Sequence, residues 1–189
     1  MNVDETLSKR ERLILANQYD ILSRLAEGEY EKKEFENLRD IFTSGYTKYY
    51  SLATEHFDDE VSQDECKFTV DVLSLYRDLY YSRERSDEAK AAIDEKDVLF
   101  KGFDLNHGIE SKYYSFSKFL VEQLGRYREI KELMEAGKIE SYNSHGSGPS
   151  MRKLSAMISK WNEIKNRDEY NRPEDLTTEE IIEILNVQY

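Results

Sequence analysis

The chain has one cysteine, Cys66, and two prolines in 189 residues. A lone thiol excludes an internal disulfide and is the usage expected of a reducing compartment, so the cytoplasm is the expected location. With so little proline, and only eight glycines, few positions interrupt a helix. No apolar run approaches the ~18 residues of a membrane span. The stretch MNVDETLSKRERLIL sets acids before bases and has no apolar run leading to a small-residue cleavage site, so neither a membrane segment nor an export signal is expected. Also missing are a Walker loop, a Rossmann glycine pattern, a G-x-S-x-G elbow and H-E-x-x-H. The three histidines, His56, His107 and His145, all lack the glutamate three residues earlier that helical di-iron sites use. No metal, cofactor or catalytic residue is expected.

What is present is charge and helical periodicity. Hydrophobic residues make up 39% and charged residues 35%, and the formal net charge is -12. That field repels phosphate backbones and anionic lipid, which disfavours indiscriminate nucleic-acid or membrane binding. A chain of this length can bury roughly two-thirds of its unfolded surface, enough for one domain without staples. Ser8 and Glu11 form a capping-box spacing ahead of a helix with Leu13, Ala16, Ile21 and Leu25 on one apolar face. A second helix carries Phe35, Leu38, Ile41 and Phe42 and should stop at Gly45, where a left-handed residue fits. Residues 46–60 read as a loop with a short helix.

Ser62 and Glu65 form another capping box, opening a helix whose apolar residues from Val70 to Tyr80 cover too wide a face for one neighbour. It is the expected central helix. The charged stretch SRERSDEAKAAIDEKDVLF is expected outside the core, followed by a long aromatic helix to about Met134, kinked or closely approached at Gly125. The Gly/Ser-rich segment 137–150 reads as a loop. Leu154, Met157, Ile158, Trp161 and Ile164 then define a helix, and Thr177 with Glu180 caps a last one. The expectation is an all-α fold: one compact domain of about seven helices.

Chemistry has few places to reside. In Gly102-Phe103-Asp104 the glycine is permissive, Phe103 can plug a turn into the core, and Asp104 (or Asn106) can accept from the free amides of a helix start. Asp104, His107 and Glu110 are metal-ligating types, but they lack a second matching cluster, so structural punctuation is the preferred reading. HGSGPS at 145–150 precedes a helix as an anion nest would, yet suits a surface loop better. Cys66 lies among Asp64, Glu65 and Asp71, which oppose a thiolate, and reads as a packed thiol.

Charge is uneven: residues 55–97 hold fourteen acids against six bases, and residues 149–172 six bases against three acids. Acidic and basic faces of two copies could pair. Alternatively Arg152, Lys153, Lys160 and Lys165, with Trp161 and Tyr170 interleaved, could touch nucleic acid, although Trp161 at this spacing suits a core. Fourteen tyrosines, some in the pairs Tyr49-Tyr50, Tyr80-Tyr81 and Tyr113-Tyr114, are more than a small core hides easily. The surplus suits either an interface or a solvated surface.

RLILANQYDIL at 12–22, SGY at 44–46, ECKFTVDVLSLYRDLYYS at 65–82, FKGFD at 100–104 and GRY at 125–127 together resemble the YfbU-like family of bacterial proteins. Weaker similarity runs through SHG at 144–146 and the Trp161 helix to IIEIL. The resemblance implies an all-helical, intracellular, self-associating protein, from a family with no established biochemical role and no catalytic residues to carry over. It directs attention to Gly45, Tyr46, Gly102, Phe103, Asp104, Gly125, Arg126, Tyr127, His145 and Gly146. The leading expectation is a non-enzymatic module that self-associates and offers a tyrosine-rich surface to a protein partner. Nucleic-acid regulation through the basic helix ranks second. An enzyme or ligand binder at the Gly-Phe-Asp corner ranks third.

Overall fold

A computed structural model describes residues 6–167 and 175–189. The fold is all-α, and the chain divides into two compact units, Met1–Glu60 and Val61–Tyr189.

The first unit is a helical hairpin. α1 (Lys9–Leu25) opens on the expected capping box of Ser8 and Glu11, and α2 (Glu29–Ser44) ends on Gly45 at φ 77°, whose N–H returns to the Ile41 carbonyl. The helices are antiparallel, because the Arg12 guanidinium near the start of α1 donates to the Phe42 carbonyl near the end of α2. A 3-10 turn, Thr47–Ala53, folds Tyr50 onto Phe42, whose other neighbour is the stacked ring of Tyr19. Among the described residues of this unit, Ala16, Ile41, Phe42 and Tyr50 are the buried apolar ones. The single apolar face expected for α1 divides in two: Ala16 and Ser23 are buried, whereas Leu13, Ile21 and Leu25 are exposed.

The second unit is built around α3 (Gln63–Arg85), capped by Ser62 and Glu65 as expected. Val72, Leu73, Leu75 and Leu79 of α3 have no accessible surface, and each such side chain contributes about 2 kcal/mol of transfer free energy. The breadth of this apolar surface is why several helices pack on α3: α4 (Asp87–Ala92), α5 (Glu95–Val98), α6 (Glu110–Lys118), α8 (Met151–Lys165) and α9 (Thr178–Leu185). The stretch expected outside the core enters it. Ala89, Ile93, Val98, Leu99 and Phe100 are all buried, and Arg83 secures the bend by donating to the Ile93 carbonyl at 2.8 Å. Charged neighbours simply mask the few apolar positions that two short helices require.

The long aromatic helix is also interrupted. α6 runs into a π turn at Phe119–Gln123, and the chain then breaks at Gly125 (φ 62°) and Tyr127 (φ 51°) before α7 (Arg128–Glu135). On α8, the five apolar residues read from the sequence are all buried. α9 has the expected Thr177–Glu180 box and is tied to α8 through Arg167 and Lys160, both paired with Glu163 and Glu183. Arg167 and then Lys160 hold the Glu163 carboxyl down at about 2.

Candidate functional site

The Gly102-Phe103-Asp104 corner and the 142–146 loop are brought together. Phe103 N–H donates to the Tyr142 carbonyl at 2.9 Å and Ser144 N–H to the Phe103 carbonyl at 3.0 Å, forming a one-residue parallel bridge between Phe103 and Asn143. Gly102, at φ 78°, permits that approach: a Cβ there would stand 2.4 Å from the Tyr142 carbonyl oxygen. Phe103 is fully buried against Phe100 and Tyr113, so the corner is anchored in the core as the sequence suggested.

The polar groups close the corner on itself. Asn143 Oδ1 accepts from the amides of Leu105 at 3.2 Å and His145 at 3.0 Å. Asp104 Oδ1 accepts from Asn106 N–H two residues on, the geometry of an Asx turn. Asp104 therefore does not start a helix, as the sequence suggested; α6 begins at Glu110, whose Oε2 reaches back to accept from Asp104 N–H at 2.8 Å. His145 has φ 48° and Gly146 φ 75°, successive left-handed residues that turn the loop toward α8. Ser150, the last residue of HGSGPS, caps that helix with its side chain.

His107 Nδ1 lies 3.9 Å from Glu110 Oε1 on an exposed side chain, and His145 Nδ1 faces the Asn143 amide at 3.3 Å. Among the described residues, no three histidine, cysteine or acidic side chains are grouped to hold a metal ion. A groove of about 210 Å³ beside the loop includes Lys101, Lys138, Asn143 and His145 in its lining. A larger cleft, about 550 Å³, lies between Asp94, Asp97, Lys101, Lys153 and Met157. Burial holds both lysines below their usual pKa, and both already donate to backbone: Lys101 to Lys96, Lys153 to Leu185 and Val187. The chemistry available at the corner is recognition of backbone by backbone.

The remaining candidates lie elsewhere. Gly45 and Tyr46 belong to the first unit. Tyr127 sits against α3: its hydroxyl pairs with Ser74 at 2.9 Å and its ring lies under the Arg77 guanidinium, 4.3 Å from the centroid. Arg77 in turn makes a two-pronged ion pair with the buried Glu129. Arg126 is exposed beside them. Neither the Arg77–Glu129 pair nor Asn143 was singled out in the sequence; both act over long separations that local spacing does not register.

The basic helix is largely engaged within the chain. Lys153 holds the C-terminal carbonyls, Lys160 pairs with Glu163 and Glu183, and Lys165 pairs with Asp78 while lying over the Trp161 ring. Of the four, Lys153 has carbonyl partners in place of an ion pair, and only Arg152 has neither among the described residues. Tyr170 and the end of the basic stretch lie outside them. Trp161 is buried, with its N–H on Asp78.

Of the thirteen described tyrosines only Tyr30, Tyr46, Tyr49 and Tyr189 are exposed, and three of these belong to the first unit. The broad tyrosine surplus is thereby narrowed. Tyr142 illustrates why the others can be hidden: burial, then its 2.9 Å hydrogen bond to Glu122, raises its pKa and keeps the hydroxyl neutral and donating.

No helix among the described residues is long and apolar enough to cross a membrane. The UPF0304 protein MJECS11 of Methanocaldococcus jannaschii is 35% identical to this chain over 182 residues, covering 95% of this chain and 99% of that protein. The pattern of the YfbU domain matches residues 5–187, spanning both compact units. On these two matches, this chain belongs to the YfbU domain family.

Proposed function

We propose that the protein is a non-enzymatic, self-associating helical module whose docking surface is carried by its first sixty residues. The observation that supports this is the distribution of apolar surface. Ten of the sixteen large hydrophobics exposed among the described residues (Leu13, Ile14, Ile21, Leu22, Leu25, Tyr30, Tyr46, Tyr49, Leu52 and Phe57) fall in this unit, against four of the thirty-one buried ones. A unit that exposes more apolar side chains than it buries gains stability when a partner covers them, and concentrated apolar surface marks contact sites. The second unit is compact, with its polar groups given to caps, turns and ion pairs.

Light scattering over a concentration series tests this reading. The expected result is a molar mass that rises to a multiple of the 22.4 kDa chain mass as concentration increases. A single-chain mass at every concentration would contradict self-association.

A further inference from the structure

The exposed apolar residues of α1 are arranged in a line. At about 100° per residue, Ile14, Gln18, Ile21 and Leu25 share one stripe, flanked by Leu22, on the side of the helix opposite Ala16 and Ser23. The helix thus has an inner face for α2 and an outer face of coiled-coil spacing that is uncovered among the described residues.

Two features identify what fits there. Arg10 lies one turn before Ile14 on the stripe side, at a basic helix start that also holds Lys9, while the hairpin tip beyond Leu25 is acidic, with Glu27, Glu29 and Glu31. Beside that tip is a groove of about 340 Å³ lined by Leu22, Leu25, Ala26, Glu27, Glu31 and Phe35. One end of the stripe therefore offers apolar knobs and positive charge, and the other a hollow and negative charge. Such a surface is complementary to itself when one copy is turned end for end. A parallel arrangement would instead set Lys9 and Arg10 against their own copies.

We infer that α1 pairs antiparallel with α1 of a second copy about a two-fold axis near Tyr19 and Asp20, making a four-helix layer from two hairpins. Ile14 faces the partner's Leu25 at the edge of the groove, and Gln18 faces the partner's Ile21. Arg10 comes level with the partner's Glu29. This assignment rests on the self-association proposed above and specifies its surface and direction.

Mixed cross-linking tests it. In full-length Cys66→Ser protein, one chain carries Ile14→Cys and another Leu25→Cys, and the two are combined under mild oxidation with molar mass measured in parallel. The expected result is a disulfide between the two variants, several-fold above either variant with itself, because only facing positions bring Cα atoms within about 7 Å. Arg10→Glu, made in the otherwise unaltered chain, should weaken association several-fold, and adding Glu29→Arg should restore it. Cross-linking of Ile14→Cys to itself would overturn the antiparallel arrangement. No cross-link and no charge-swap rescue, with a doubled mass retained, would overturn this surface and leave self-association standing. A single-chain mass would overturn both, and slow thiol labelling in that monomer would mark the chain's own second unit as the cover.

Discussion

Gly102→Ala is expected to lower the unfolding free energy of the second unit by about 3 kcal/mol. Two separate costs combine. A left-handed conformation costs an L residue about 1 kcal/mol relative to glycine. The added methyl also meets a main-chain oxygen, since the Tyr142 carbonyl lies 2.4 Å from where it would stand. A backbone atom held by the Phe103 N–H cannot rotate away, so segments 40 residues apart must separate, at a cost of about 1–3 kcal/mol typical of overpacking. Gly125→Ala is the matched control. Gly125 has φ 62° but nothing within 4 Å of its hypothetical Cβ, so it should show the conformational cost alone, about 1 kcal/mol. Urea unfolding of the two variants measures the difference. Equal losses would mean that the close approach of corner and loop contributes nothing.

Arg77→Ala should be comparably damaging, again by about 3 kcal/mol. The Glu129 side chain is only 7% exposed, and both its oxygens accept from Arg77, Oε1 from Nε at 2.7 Å and Oε2 from Nη2 at 2.9 Å. Removing the arginine leaves a buried carboxylate without its counter-charge, which costs about 3–5 kcal/mol in typical cases. The lower end applies because the Arg77 side chain is 39% exposed and water can reach the vacated space. The same change also removes the cation from above the Tyr127 ring, one of the contacts that keeps this residue at φ 51°. A double variant, Arg77→Met with Glu129→Leu, should recover most of the loss, since it removes the desolvation cost with the attraction. Failure to recover would assign the effect to Tyr127 rather than to the stranded carboxylate.

The parts of this fold that were legible in the sequence are those decided within a few residues. The capping boxes at Ser8, Ser62 and Thr177 form because the hydroxyl and the glutamate three residues later are on the same turn whatever surrounds them. Gly45 ends α2 because glycine reaches φ 77° without steric cost. Asp104 was legible as a polar turn but not as a non-cap. Its helix start was displaced by Glu110, whose carboxylate takes the Asp104 amide, and by Asn143, thirty-eight residues from Leu105, which organises the turn from across the fold.

Other differences share that origin. The buried Ala89 and Ile93 were hidden by charged neighbours because burial depends on which side α3 lies, not on mean polarity. On α1, the apolar residues were read as one face although their spacing already separated Ala16 from Ile14, Ile21 and Leu25 by about half a turn. The basic residues of α8 suggested a free cationic surface, yet three of the four candidates find partners on α3, on α9 or at the carboxyl terminus. Composition records charge but not its pairing.

The central claim is that the outer face of α1 is where the protein docks and that the 102–146 corner is architecture. Amide hydrogen exchange at low and high protein concentration tests both halves together. The predicted result is slower exchange across Leu13–Leu25 as concentration rises, with the rates at Gly102–Asp104 and Tyr142–Gly146 unchanged. Exchange in α1 that ignores concentration, or protection that shifts to the corner instead, would contradict it.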